Sequence, residues 1–238
     1  MNNFNIHLKM LELVARALGP ELCEQMAFVG GCTTGLLLTD EFTKEQVRHT
    51  NDVDLIISVM GVINYYQLQD KLVEKGFSLP GLDEEEQEED TPFCAMKLGD
   101  LRVDFIPDNA EVLGFTNRWY KQAIETAAPR ILAQGVVIRV VDPVYFVATK
   151  LEAYKGRGCN DPLSSRDIED ILTLVDGREE LSNEVRGADV ELRHYIAVEL
   201  SALLEIQDFE YAVQSQSLGD QAREDEIFSR LELLARGN

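Results

Sequence analysis

The sequence predicts an α+β (α/β) protein, with a small mixed-sheet core over residues 1–141 and a helical C-terminal part over residues 142–238. Two observations predict this class. Before residue 142, short β-branched runs alternate with segments of helical spacing, whereas beyond it apolar residues recur at helical spacing alone. The chain has 238 residues, of which 45% are apolar, so it can form one large core or two modest ones.

The first elements follow from periodicity and from turn residues. A helix is predicted near residues 5–18, then a strand in "MAFVGG" that enters a turn at Gly30-Gly31, then a helix over about 33–38. After a polar segment, the run "DVDLII" predicts a strand, because short β-branched apolar runs suit a covered sheet. Residues 61–75 have helical spacing, and Gly76 is a suitable residue to end that helix.

The remaining elements are a hairpin, a strand and a series of helices. "FCAMKLGDLRVDFIP" predicts a β-hairpin with Gly99-Asp100 at its turn. "VVIRVV" predicts a further strand, and Asp142-Pro143 then supplies an N-cap followed by proline at the first helical position. The helical segments that follow are "PVYFVATKLEAYKG", "SSRDIEDILTLV", "DVELRHYIAVELSALLEIQDFEYAVQ" and "REDEIFSRLELLAR".

The formal net charge of −21 limits the partners of this protein. Such a surface repels phosphate backbones unless it carries a local basic patch, and it attracts cationic partners or metal ions. The acidic run "DEEEQEED" at 83–90 is typical of a solvated loop, with collection of metal ions as the alternative. The sequence has no long uninterrupted apolar run and no signal-peptide pattern, so we expect a cytoplasmic protein without a membrane partner.

Three aspartates fall in or beside otherwise apolar strands. Asp52 and Asp54 flank Val53, so their side chains point to the same face of the strand, and Asp104 lies within "LRVDFIP". Neighbouring carboxylates repel each other, but a divalent cation between them reverses that repulsion, and carboxylate oxygens are preferred ligands of Mg²⁺. The alternative is that the three are separately solvated residues at strand edges.

The order of these motifs resembles the DNA polymerase beta-like nucleotidyltransferase superfamily, which has a Gly-Gly turn, an Asp-x-Asp strand and a third acidic residue on a later strand. The closer likeness is to the AbiEii-type nucleotidyltransferases, toxin components of abortive-infection and toxin–antitoxin systems. It rests on "FVGGCTTGLLL", "RHTNDVDLII" and "DPVYFVATKLEAYKGRG…SSRDIEDILTLV", and it covers roughly residues 25–176. Two departures are Cys32 after the glycines and a longer gap from Gly31 to Asp52.

The resemblance implies a nucleotidyltransferase core over 1–141 and a role for each matching residue. Asp52, Asp54 and Asp104 would bind two Mg²⁺ ions, and Asp104 would also be the general base. The residues that would contact the nucleoside triphosphate (NTP) are Gly30, Gly31, Lys150, Arg157 and Asp167. From the sequence alone, Lys150 is also compatible with an ordinary surface lysine, and Asp167 with a residue that helps to begin a helix.

Three functions remain open at this point. The resemblance implies transfer of a nucleoside monophosphate from an NTP to an acceptor hydroxyl, by a toxin that acts on tRNA and has a cognate antitoxin. The charge of −21 instead favours a cationic small-molecule acceptor, as in aminoglycoside nucleotidyltransferases. A catalytically silent binding module with the same fold is the third. The tRNA hypothesis requires a basic cluster beside the aspartates, for which the candidates are Arg48, Lys150, Lys155, Arg157 and Arg166.

Overall fold

A computed structural model describes residues 2–79, 93–114, 116–156 and 161–237. Their contacts divide the chain into two compact units. The first consists chiefly of Asn5–Thr33 and His49–Val141, and the second of Asn2–Phe4, Thr34–Arg48 and Asp142–Asn238. The predicted α+β class with a helical C-terminal part is confirmed. The acidic run at 83–90 and Arg157 lie outside the described residues.

The first unit is built on one mixed sheet. Its strands are β1 (Met26–Val29), β2 (Asp52–Ile57), β3 (Ala95–Leu98), β4 (Leu101–Pro107), β5 (Ala128–Ile131) and β6 (Val137–Val140). Their order is β3-β4-β2-β1-β6-β5, in which β2 pairs with β4, and β1 with β6, in parallel; the other neighbours are antiparallel. The helices that lie wholly or mostly in this unit are α1 (Asn3–Leu18), α2 (Pro20–Gln25), α5 (Val62–Glu74), α6 (Ala110–Leu113) and α7 (Tyr120–Thr126).

The core strand β2 has the alternation expected from its sequence. Val53 and Leu55 are fully buried, whereas Asp52 and Asp54 on the other face are only partly covered. Helix α5 packs on this unit through Tyr65, whose buried hydroxyl donates a hydrogen bond to the carbonyl of Phe105 at 3.2 Å. At β2, one face of the sheet is therefore buried and apolar, and the other face carries charged side chains.

Strand β5 has no counterpart among the predicted strands. It is a short edge strand that contains Pro129, and its side chains are partly or fully exposed. Edge strands tolerate proline because one row of their backbone groups has no ladder partner. Neither length, alternation nor burial distinguishes such a segment from a loop at the sequence level.

The second unit is helical. Its helices are α3 (Thr34–Leu37), α4 (Glu41–Lys44), α8 (Pro143–Gly156), α9 (Arg166–Gly177), α10 (Leu181–Gly187), α11 (Val190–Leu204), α12 (Gln207–Ser217) and α13 (Gln221–Arg236). Asp142 caps α8 through a 2.8 Å hydrogen bond from the backbone N–H of Val144, as the Asp-Pro signal predicts. The long helical segment predicted from residue 189 onward forms two helices, α11 and α12. The helix is interrupted at Glu205 and Ile206, which cap the two ends.

Segment 34–48 joins the helical unit through a close approach to the end of α9. The backbone N–H groups of Thr39 and Asp40 donate to the carbonyl of Gly177 at 2.9 and 3.0 Å. A side chain at Gly177 would meet Thr43 at 2.8 Å, so only glycine allows this approach. In the part of the chain that the structure describes, no helix has the length and apolarity that crossing a membrane requires.

Candidate active site

The parallel pairing of β2 with β4 brings the sequence-predicted aspartates together. Asp54 lies directly opposite Asp104, and Asp52 lies opposite Arg102. Residues opposite each other on paired strands share a face of the sheet, and so do residues two apart along one strand. One face of these strands therefore carries three carboxylates and one guanidinium.

Arg102 forms a bidentate ion pair with Asp104. Its Nε donates to Oδ1 of Asp104 at 2.9 Å, and its Nη2 donates to Oδ2 at 2.8 Å. The Asp104 side chain is 9% exposed, whereas the Arg102 side chain is 36% exposed. The hydrogen bond to Asp104 raises the pKa of Arg102, against the lowering effect of burial, and the charges of Asp52 and Asp54 add to the increase. Arg102 thus offsets part of the repulsion within the group.

Asp52 has a local partner from the loop before β2. The buried hydroxyl of Thr50 donates a hydrogen bond to Oδ1 of Asp52. Thr50 and Asp52 are two residues apart, so this contact depends on local geometry more than on long-range packing. It fixes one oxygen of Asp52.

The Gly30-Gly31 turn lies against Asp54. Gly30 has φ +79°, a conformation that favours glycine, and a Cβ there would lie 1.9 Å from Oδ2 of Asp54. The turn is closed by Thr33, whose hydroxyl and backbone N–H both donate to the carbonyl of Gly30, at 2.8 and 3.1 Å. The absence of a side chain at Gly30 leaves room for the Asp54 carboxylate.

Two cysteines near these motifs are buried thiols. Cys32, which follows the two glycines, is 2% exposed and donates to the carbonyl of His7 at 3.7 Å. Burial, followed by the nearby Asp104 charge, raises the pKa of Cys94 to about 12. A thiol with this pKa stays protonated at neutral pH, so Cys94 does not supply a thiolate to this face.

The donor set fits a hard divalent cation by its chemistry. Carboxylate oxygens are preferred ligands of Mg²⁺, although Arg102 already places its positive charge on one of these carboxylates. Within the described ranges, no three His, Cys, Asp or Glu side chains lie close enough, as they stand, to form a ligand group. Asp104 is bonded to Arg102 and Asp52 to Thr50 in this structure.

The other two described residues predicted to bind nucleotide belong to the second unit. Lys150 on α8 contacts Asp167 on α9 at 3.0 Å and Asp170 at 2.6 Å. Arg48 completes the group with two hydrogen bonds to Asp170, at 2.8 and 2.9 Å. Lys150, Asp167 and Asp170 are each at most 8% exposed. Lys150 is thus not a surface lysine.

The charges in this buried ion cluster (Arg48, Lys150, Asp167 and Asp170) stabilise one another. Burial acts to lower the pKa of Lys150, but Asp170 and Asp167 outweigh it and the pKa lies above its ordinary value. Burial acts to raise the pKa of Asp170, but Lys150 and Arg48 outweigh it and that pKa is lowered. Lys150 and Asp170 are therefore both charged at neutral pH and form a buried ion pair within the cluster.

The basic cluster required by the tRNA hypothesis is largely neutralised. Arg48 and Lys150 belong to the buried ion cluster, and Lys155 pairs with Glu199 at 2.6 Å. Arg166 is exposed at the start of α9, where Ser165 caps the helix. These contacts leave fewer charges for phosphate than the sequence predicts.

Arg102 and Asp170 are the two charged residues that the sequence analysis missed. Arg102 is two residues before Asp104, so strand alternation alone places it on the same face. Asp170 is the second aspartate of the quoted Arg-Asp-x-x-Asp segment and lies one helical turn after Asp167. Both signals are present in the sequence.

Comparisons with known proteins give no family assignment. No protein-family model matches the chain, and no curated protein matches it either.

Proposed function

We propose that this protein is a metal-dependent nucleotidyltransferase, which moves a nucleoside monophosphate from an NTP to an acceptor hydroxyl and releases pyrophosphate. One observation carries the proposal: Asp54 lies beside Asp104 in register on parallel strands, and Gly30 leaves room for Asp54. Repelling carboxylates on one strand face contribute little to stability. They are explained if they bind cations.

The residues have separate roles in the proposed reaction. Asp52, Asp54 and Asp104 would hold Mg²⁺, and Gly30 and Gly31 would lie against the triphosphate. Two such metal ions, when bound, stabilise the attacking and leaving oxygens of an in-line displacement. Asp104 would accept the proton of the acceptor hydroxyl, a role that requires it to be ionised. Thr50 would position Asp52 through its hydrogen bond.

The ion pairs formed by the candidate RNA-binding lysine and arginine residues favour a cationic small molecule as the acceptor. A net charge of −21 attracts such molecules, and three of the five cations suggested for RNA binding contact carboxylates. Transfer to tRNA by a toxin with a cognate antitoxin is the second candidate, supported by the sequence resemblance. A silent binding module would bind Mg²⁺ and NTP without transfer.

Substitution of the aspartates tests the proposal. Asp52→Asn and Asp54→Asn should each abolish transfer of label from an α-³²P-labelled NTP, because each removes a charged metal ligand while keeping side-chain size. Melting temperature in chelator should stay unchanged or rise, since mutual repulsion is reduced.

Asp100→Asn is the matched control, since it makes the same charge change at the exposed hairpin turn. It should transfer label like the unsubstituted protein. Full transfer by Asp54→Asn would contradict the proposal.

A further inference from the structure

We propose that Arg102 competes with a divalent cation for Asp104 and so lowers the metal affinity of this face. The inference rests on the proposed function, because a metal at Asp104 is part of it. Arg102 engages both oxygens of Asp104, at 2.9 and 2.8 Å. Metal ligation would use lone pairs of those same oxygens.

The positive charges of the Arg102 guanidinium and of a metal ion oppose each other at Asp104. Each carboxylate oxygen keeps a further lone pair, so the hydrogen bonds alone do not exclude a metal. A guanidinium and a metal ion on one carboxylate nevertheless repel each other at short range, and this repulsion is strong because Asp104 is 7% exposed. A bound metal therefore either displaces Arg102 or binds more weakly beside it.

The surroundings of Arg102 show why it is present. It lies opposite Asp52 on β2 and opposite Lys97 on β3, with Asp104 two residues along its own strand. Asp54 lies opposite Asp104, so three carboxylates share one face of the sheet with its positive charge. Its side chain is 36% exposed, so it is not enclosed by packed protein. Arg102 thus offsets the negative charge of the carboxylates, and a metal ion can displace it.

Titration with Mn²⁺, followed by the electron paramagnetic resonance signal of free Mn²⁺, tests the inference without any need for catalysis. Arg102→Gln should tighten Mn²⁺ binding about tenfold, which corresponds to about 1.4 kcal/mol. In chelator, Arg102→Gln should melt at a lower temperature, and saturating Mn²⁺ should raise its melting temperature more than that of the unsubstituted protein.

Lys97→Gln is the matched control. It removes one positive charge from the position opposite Arg102 on the neighbouring strand, whereas both hydrogen bonds to Asp104 remain. It should tighten Mn²⁺ binding less than Arg102→Gln does. Equal tightening by both variants, or none by Arg102→Gln, would overturn the inference. Arg102→Lys keeps the charge but loses the bidentate fork, and it should give a smaller gain than glutamine.

A double-mutant cycle links the effect to one carboxylate. Asp104→Asn alone should weaken Mn²⁺ binding, and in that background Arg102→Gln should change the affinity by less than about tenfold. Loss of transfer in Asp54→Asn with unchanged Mn²⁺ affinity in Arg102→Gln would reject this inference alone. If Arg102→Gln tightens Mn²⁺ binding only when Asp104 is present, but the unsubstituted protein transfers no label, the proposed function alone would be rejected.

Discussion

At the scale of single residues, the absence of an atom at Gly30 is as important as the carboxylates themselves. A methyl group at this position would lie 1.9 Å from Oδ2 of Asp54 and 3.0 Å from its Cβ. The carboxylate is the mobile end of its side chain, so it would move away rather than break the strand. The effect of a substitution should therefore appear in activity more than in stability.

Gly30→Ala should lower label transfer by more than about tenfold, because displaced Asp54 no longer meets the geometry that catalysis requires. The free energy of unfolding, measured with urea, should fall by roughly 1–2 kcal/mol for the positive φ together with a contribution from the clash. Gly114→Ala is the control, since Gly114 has φ +78° but no atom within 4 Å of the added Cβ. Gly114→Ala should lose only the unfolding free energy that the positive φ costs, and the variant should keep its activity. Unchanged transfer by Gly30→Ala would contradict the role assigned to this turn.

At the scale of elements, the buried ion cluster joins helices α8 and α9 to segment 34–48. Arg48 reaches Asp170 from a position 122 residues earlier in the chain. Replacing a complete buried ion pair by apolar residues is often neutral, whereas removing one partner leaves a buried charge without compensation. The cluster therefore fixes how these segments pack within the second unit.

Lys150→Ala should lower the free energy of unfolding by about 3–5 kcal/mol, because it leaves the buried charge of Asp167 and part of that of Asp170 uncompensated. Lys155→Ala, on the same helix, removes a lysine that is 47% exposed and should cost less than about 1 kcal/mol. Urea denaturation measures both. A small effect of Lys150→Ala on stability, with loss of stabilisation by NTP, would instead support the nucleotide contact that the resemblance implies.

The stability contributed by the cluster should depend on pH at both extremes. The pKa of Asp170 is lowered in the folded protein, so its contribution is present above about pH 4, the unfolded value, and is lost as pH falls through the folded pKa. The pKa of Lys150 is raised, so its contribution is present below about pH 10.4 and is lost as pH rises through the folded value.

The difference in unfolding free energy between the unsubstituted protein and Asp170→Asn should therefore be constant near neutral pH and shrink below about pH 4. Urea denaturation at several pH values measures it. A difference that grows as pH falls would show that Asp170 is not ionised in the folded state.

At the scale of the whole molecule, the charge of −21 would select among acceptors in the proposed reaction. Polycations are attracted over distances of about 10 Å at an ionic strength of 0.1 M, whereas nucleic acids are repelled unless local cations compensate. Ion pairing of Arg48, Lys150 and Lys155 reduces that compensation.

The acceptor can be identified by offering an aminoglycoside and bulk tRNA in parallel with labelled NTP. We expect label on the aminoglycoside, and a rate that falls as salt screens the attraction. Label on tRNA that decreases steeply with salt would instead indicate phosphate contacts by a basic patch and would favour the toxin. Asp54→Asn should abolish label in either case.

The sequence by itself determined the elements whose signals are local. The alternation in "DVDLII" predicts β2, Gly99-Asp100 predicts the hairpin turn, and Asp142-Pro143 predicts the start of α8, because each depends on residues next to one another. The strand alternation also indicates that Asp52 and Asp54 share a face. These features follow from backbone sterics and side-chain period, which act within a few residues.

The tertiary structure alone decided which distant segments meet. The parallel register that sets Asp54 beside Asp104, the approach of Gly30 to Asp54, and the bonds from Arg48 to Asp170 join residues far apart in the chain. The break between α11 and α12 likewise contains neither glycine nor proline to predict it. The physical reason is that strand register and buried ion pairs are selected by which surfaces bury together, and no local period encodes that choice.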